Sequence, residues 1–171
     1  MVETLLSDLE GLRMAMEIEK RGFVFYQKAY HKFKDVQVKA LFKTLMEEEE
    51  QHLETFREIF DQIAADKEAH STEYLFDPEV SGYLTVLVDS HVFPLEQDAD
   101  HVISELATVE KIIKLAMGAE KDSILLYTEL ANCSKFKNTK AVFLQLKKEE
   151  QNHVTEIGHK LRQILTSKSV S

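Results

Sequence analysis

A single cysteine, Cys133, occurs in 171 residues. It permits no internal disulfide and no four-cysteine zinc or iron–sulfur site, and it points to a reducing compartment. Gly and Pro are scarce, at 5 and 2 residues against 44% hydrophobic residues. That balance fits one compact domain rich in helix and poor in turns, and it excludes fibrous and disordered chains. Basic residues are in deficit, with 21 Lys and Arg against 30 Asp and Glu and a formal charge of −9. Such a chain repels nucleic acid and anionic membranes, and cations are its natural partners. The opening MVETLLSDLE lacks the basic start and apolar run of a signal peptide. No segment approaches the roughly 20 apolar residues that span a bilayer. A soluble cytoplasmic protein is expected, with no nucleic-acid or membrane partner.

Cap and turn signals divide the chain into one all-α domain over 1–171. Ser7-Asp8-Leu9-Glu10 has the capping-box form and opens helix A at about 8–31. A short polar link around Lys34 and Asp35 leads to helix B at about 36–65, which contains neither Gly nor Pro. Asp77-Pro78 offers an N-cap followed by proline at the first helical position, so a connector helix is expected at about 78–92. Helix C is expected at about 100–131 and helix D at about 139–166. The A–B and C–D links are short and the B–C connection is long. That is the layout of a four-helix bundle made of two antiparallel hairpins joined by a crossover.

The two halves repeat each other. Ala15, Met16, Glu19, Lys20 and Tyr26 match Ala116, Met117, Glu120, Lys121 and Tyr127, each 101 positions on. The same offset pairs Lys39, Ala40, Phe42, Leu45, Glu48, Glu49 and His52 with Lys140, Ala141, Phe143, Leu146, Glu149, Glu150 and His153, without a gap. The repeat establishes architecture and leaves function open.

Steps of three and four define an inward stripe on each helix. Helix A reads Leu12, Ala15, Glu19, Gly22, Tyr26, Ala29, Phe33, and helix B reads Phe42, Leu45, Glu49, His52, Phe56. Helix C reads Ile113, Ala116, Glu120, Ser123, Tyr127, Leu130, and helix D reads Phe143, Leu146, Glu150, His153, Ile157. Ionisable residues interrupt all four stripes at one level. A run of acids such as Glu47 to Glu50 is usually a solvated face. Successive helical residues, however, turn by about 100°, so a half-buried helix must direct one of the four inward, and Glu49 takes that place. Within Glu49-x-x-His52 and Glu150-x-x-His153 the side chains stand about 60° apart and about 4.5 Å along the axis, close enough to converge on one ion.

Four buried carboxylates repel one another unless they are protonated or compensated. Two divalent ions balance four ionised glutamates beside two neutral imidazoles. An oxygen-rich shell with one nitrogen per metal suits iron or manganese. One Glu from each of two helices plus one Glu-x-x-His from each of the other two is the known ferritin-like pattern.

Through AMEIEKRGFVFY and LFKTLMEEEEQH, echoed by AMGAEKDSILLY and FLQLKKEEQNH, the chain resembles the rubrerythrin-like branch of the ferritin-like superfamily. The resemblance implies a dinuclear iron centre held by Glu19, Glu49, His52, Glu120, Glu150 and His153, with manganese or zinc as substitutes. It places Tyr26 and Tyr127 beside that centre, in core packing or a redox role. It further implies an oxidoreductase that reduces hydrogen peroxide or oxygen, and pairing into a homodimer. Rubrerythrins proper usually carry a four-cysteine rubredoxin domain. Cys133 alone cannot supply one, so a separate electron-donor protein is expected. They also tend to carry an extra glutamate one turn after the helix C ligand, where this chain has Ser123.

Two alternatives belong to other classes. One is a ferroxidase or iron-handling protein, although ferritins of that kind add a short fifth helix for which the ending LTSKSVS leaves no room. The other is a structural protein holding a redox-silent metal. His31, His70, His91, His101 and His159 lack paired acids on an apolar stripe and read as surface residues. Met14, Met16, Met46 and Met117 read as core fillers.

Overall fold

The computed structural model describes residues 4–90 and 93–170. Among the described residues there are six α-helices and no strand. Helices α1 (Asp8–Lys32) and α2 (Val36–Ala64) form the first hairpin, and α5 (Val109–Cys133) and α6 (Lys137–Val170) form the second. In the bundle α1 faces α5 and α2 faces α6. Two short helices, α3 (Pro78–Asp89) and α4 (Ala99–Leu106), lie in the crossover with three 3-10 turns, α3 against α5 and α4 against α1.

Local chemistry explains the helix starts. Asp35 caps α2 by accepting from Val38 N at 2.9 Å, and Pro78 begins α3 as expected. The start of α1 differs from a capping box, because the Ser7 hydroxyl donates to Glu10 Oε2 at 2.8 Å and accepts no backbone N–H. Asp8 is buried, and its carboxylate accepts from Lys135 N at 2.9 Å and Phe136 N at 3.0 Å. The beginning of the first hairpin thereby holds the turn of the second. Phe76 N donates to Leu6 O at 2.8 Å, and Leu6 N to Ser81 Oγ at 3.0 Å, which anchors the crossover beside the same end.

Helix C is not continuous over 100–131. It breaks at Ala107, whose φ of 60° ends α4, and it restarts at Thr108, whose Oγ1 accepts from Lys111 N. Extending the inward stripe of α5 backwards from Ile113 reaches Val109, Leu106 and Val102. The residues buried in α4 are instead Ala99 and Ile103. The break resets this phase so that α4 can turn its apolar face to α1. Strain at a non-glycine residue with positive φ is the local cost. The connector helix ends at Asp89, before the expected limit of 92, and His91 and Val92 lie outside the described residues. Helix α6 begins earlier and ends later than 139–166.

Every stripe residue is buried except Phe33, which is half-buried. Phe42, Phe56, Phe143, Leu12 and Leu45 fill the layers above and below the ionisable level. Each such side chain contributes roughly 2 kcal/mol on burial. The core therefore surrounds the charged layer and fixes its helices in register.

Candidate metal centre

The layer at mid-bundle consists of Glu19 from α1, Glu49 and His52 from α2, Glu120 from α5, and Glu150 and His153 from α6. None is more than 2% exposed. Their ligand atoms fall into two overlapping sets. Glu19, Glu49, His52 and Glu150 form one, and Glu49, Glu120, Glu150 and His153 form the other, with the atoms of each set within 4.8 Å of one another. Glu49 and Glu150 belong to both. His52 Nδ1 lies 2.9 Å from Glu150 Oε1 and 3.2 Å from Glu19 Oε2. His153 Nδ1 lies 2.8 Å from Glu150 Oε2 and 3.4 Å from Glu49 Oε1. The two rings stack with centroids 5.3 Å apart.

The surroundings shape this layer. A Cβ on Gly22 would stand 2.6 Å from Glu49 Oε2 and 3.2 Å from Phe93 Cε2, so the absence of a side chain there makes room for the carboxylate. Phe93 reaches in from the crossover and packs its ring against Phe25 and Tyr26. Ser123, the repeat mate of Gly22, is buried and donates its hydroxyl to Ala119 O at 3.2 Å. His31, His70, His101 and His159 are exposed, and the four helical methionines are half-buried against the core.

Both tyrosines are fully buried, and each donates to a glutamate of the opposite hairpin, Tyr26 to Glu120 and Tyr127 to Glu19. Burial and the neighbouring carboxylates hold both phenols well above their ordinary range, so they remain donors.

Burial, with charge repulsion from neighbouring glutamates, raises Glu49 well above the usual carboxylate range and Glu120 to about 7. Burial opposes charge on the imidazoles too, yet Glu150 and Glu19 outweigh it and push His52 up to about 12. His153 is raised by Glu120, Glu150, Glu48 and Glu49 against the same burial. Burial disfavours ionised Glu150 as well, but the two histidines hold it below the ordinary value. Several of these approaches are short but poorly aligned. Glu48 Oε2, Glu49 Oε1, Glu120 Oε2, both Glu150 oxygens and His153 Nδ1 have no hydrogen-bond partner of good geometry. Buried polar atoms left so are costly, and divalent cations at the two ligand sets would satisfy those of Glu49, Glu120, Glu150 and His153. The donor set therefore fits a metal.

Sequence spacing misses three neighbours of the layer: Phe93, Glu48 and Glu149. Glu149 Oε2 lies 3.0 Å from His52 Nε2, and Glu48 Oε2 lies 2.9 Å from His153 Nε2. The doubled acids Glu48-Glu49 and Glu149-Glu150, present in both halves, were the available signal. Nothing in the sequence marks Phe93.

No curated protein matches the chain. Among solved structures it resembles a Thermotoga maritima protein described as ferritin-like and diiron-carboxylate, with a TM-score of 0.66, 22% identity, and coverage of 92% of this chain and 96% of the other. A hypothetical protein from Pyrococcus furiosus has a TM-score of 0.67 and 22% identity, with coverage of 94% of this chain and 92% of the other. These likenesses show a ferritin-like fold. No helix among the described residues is long and apolar enough to cross a membrane. The rubrerythrin family profile matches residues 10–156, and the chain, a ferritin-like bundle with a buried carboxylate–histidine cluster able to bind metal, belongs to the rubrerythrin family.

Proposed function

We propose that Glu19, Glu49, His52, Glu120, Glu150 and His153 hold two iron ions, and that the protein is a non-haem oxidoreductase reducing hydrogen peroxide or oxygen. The observation that carries this reading is the pair of ligand sets sharing Glu49 and Glu150. Glu49 and Glu150, common to both sets, would serve both ions, while Glu19 with His52 and Glu120 with His153 would complete one position each. The oxygen-rich donor set, with one nitrogen per position, favours iron or manganese over softer metals. Bound iron supplies the electrons for reduction of the oxidant.

The chain's own residues prepare that chemistry. Tyr26 and Tyr127 fix the carboxylates of Glu120 and Glu19 and keep their phenolic protons at the site. Phe93, Phe42, Phe56 and Phe143 keep bulk water from the layer. Electrons would reach the centre from a donor outside these 171 residues, because Cys133 alone cannot hold a four-cysteine iron.

Anaerobic loading with ferrous iron, followed by stopped-flow mixing with peroxide or oxygen, tests the proposal. Two irons per chain and oxidation by peroxide faster than by oxygen are expected. Failure to bind iron removes the metal centre. Oxidation by oxygen at least as fast as by peroxide replaces the peroxidase reading with an oxidase or ferroxidase.

A further inference from the structure

His52 and His153 turn Nδ1 toward the centre and Nε2 toward the outside of the bundle. Each outer nitrogen meets a carboxylate of the opposite hairpin. His52 Nε2 on α2 lies 3.0 Å from Glu149 Oε2 on α6, and His153 Nε2 on α6 lies 2.9 Å from Glu48 Oε2 on α2. A carboxylate oxygen accepts from an imidazole N–H. Glu149 thus accepts from His52 Nε2–H, Glu48 stands in ion-pair contact where it can orient the His153 ring in the same way, and each Nδ1 faces the converging glutamates.

The acid run of α2 is thus divided by role. Glu47 and Glu50 are exposed and Glu49 is inside, while Glu48 sits on the rim. Glu48 and Glu149 are 38% and 41% exposed and line a cleft of about 290 Å³ between α2 and α6. Ion pairs exposed to this degree contribute little to stability, so holding the fold does not account for an acid at both positions. Glu149 is itself braced, since Gln145 Nε2 donates to its Oε1 at 3.0 Å. In the first half the matching residue, Thr44, gives its hydroxyl to Ala40 O instead.

We propose that Glu48 and Glu149 are positioning residues that set the tautomer and ring direction of the facing hairpin's histidine, so that neither hairpin orients its own nitrogen ligand. This inference rests on the metal-centre reading above. It differs from that reading in locating the control of each metal position on the opposite helix, in residues outside the six ligands.

Cobalt(II) titration of the metal-free protein, with NMR of the zinc-loaded protein, tests the proposal. Wild type should bind two cobalt ions per chain and show two protected imidazole Nε2–H signals. Glu48→Ala should weaken chiefly one cobalt site, by about 10–100-fold, and abolish the His153 signal. Glu149→Ala should do the same for His52. Metal-free thermal midpoints should stay near wild type. Glu48→Gln, which retains an accepting oxygen, should keep most of the affinity. Wild-type affinities and both signals in the alanine variants would overturn the positioning role and leave the metal centre standing. A large loss of metal-free stability would overturn it in favour of a structural role. A wild type that binds no cobalt would remove the metal centre and the inference together.

Discussion

Tyr26 on α1 donates its hydroxyl to Glu120 on α5, and Tyr127 on α5 returns the same bond to Glu19 on α1. The repeat places each tyrosine two turns beyond its own glutamate, yet the bond goes to the other half. Two latches related by the internal symmetry thus join the hairpins at the level of the centre.

Tyr26→Phe and Tyr127→Phe keep the rings and their aromatic neighbours and remove only the donor. Each should destabilise the metal-free protein by about 1–3 kcal/mol, the range for leaving a buried acceptor unsatisfied. Denaturant unfolding measures it. A loss from one variant and none from the other would show that the latches are not equivalent.

Gly22→Ala should separate metal binding from stability. The added Cβ meets the end of Glu49, a flexible side chain that can swing away, and alanine in a helix interior gains up to about 1 kcal/mol over glycine. Thermal stability without metal should hold or rise while metal stoichiometry falls. Gly11→Ala is the contrast, because its Cβ would stand 2.7 Å from Leu130 Cδ2 in the packed core. It should lower stability by roughly 1–3 kcal/mol and leave metal stoichiometry intact. The reverse pattern in either variant would contradict the role given to Gly22.

Asp8→Ala leaves the backbone N–H groups of Lys135 and Phe136 without their acceptor. A loss of roughly 2 kcal/mol or more is expected. The shift should be equal with and without metal, since Asp8 ties the hairpins at a bundle end. Differential scanning calorimetry of both forms checks it, and a shift confined to the loaded form would refute it.

The apolar phase of each helix was legible because bundle packing imposes one inward direction, and the acids on that phase then had to meet. What escaped was of a different kind. Periodicity describes one helix at a time, so it places Glu48 and Glu149 near the rim but does not reveal that each faces a histidine on another helix. The same limit hid the exchange of partners between Tyr26 and Tyr127. Phe93 lies in the crossover, where no period applies. The break at Ala107 lacked the usual Gly or Pro, and only Thr108 with Glu110 behind it resembled a helix start. A phase comparison between Ile103 and Ile113 would have exposed it.

The final prediction concerns pH. An unfolded glutamate titrates near its ordinary value, whereas burial and Glu150 raise Glu120 to about 7 in the folded chain. Between those values the folded state binds more protons, so stability without metal falls as pH rises. His52, raised to about 12, acts in the same direction: its contribution is fully present below the ordinary histidine value and is lost as pH climbs toward about 12. Glu150 is held low by the two histidines against its burial, and its contribution disappears as pH drops below the ordinary glutamate value. The metal-free cluster is therefore most favourable on the acidic side of neutrality. Metal ions displace these protons, so the stabilisation they give must grow with pH. Thermal midpoints of metal-free and zinc-loaded protein, measured from about pH 5 to about pH 8, should diverge as pH rises. Glu120→Gln should flatten the metal-free curve below about pH 7, because it removes the proton whose uptake creates the slope. A constant gap between the two curves would mean that metal and protons do not compete for the same six side chains.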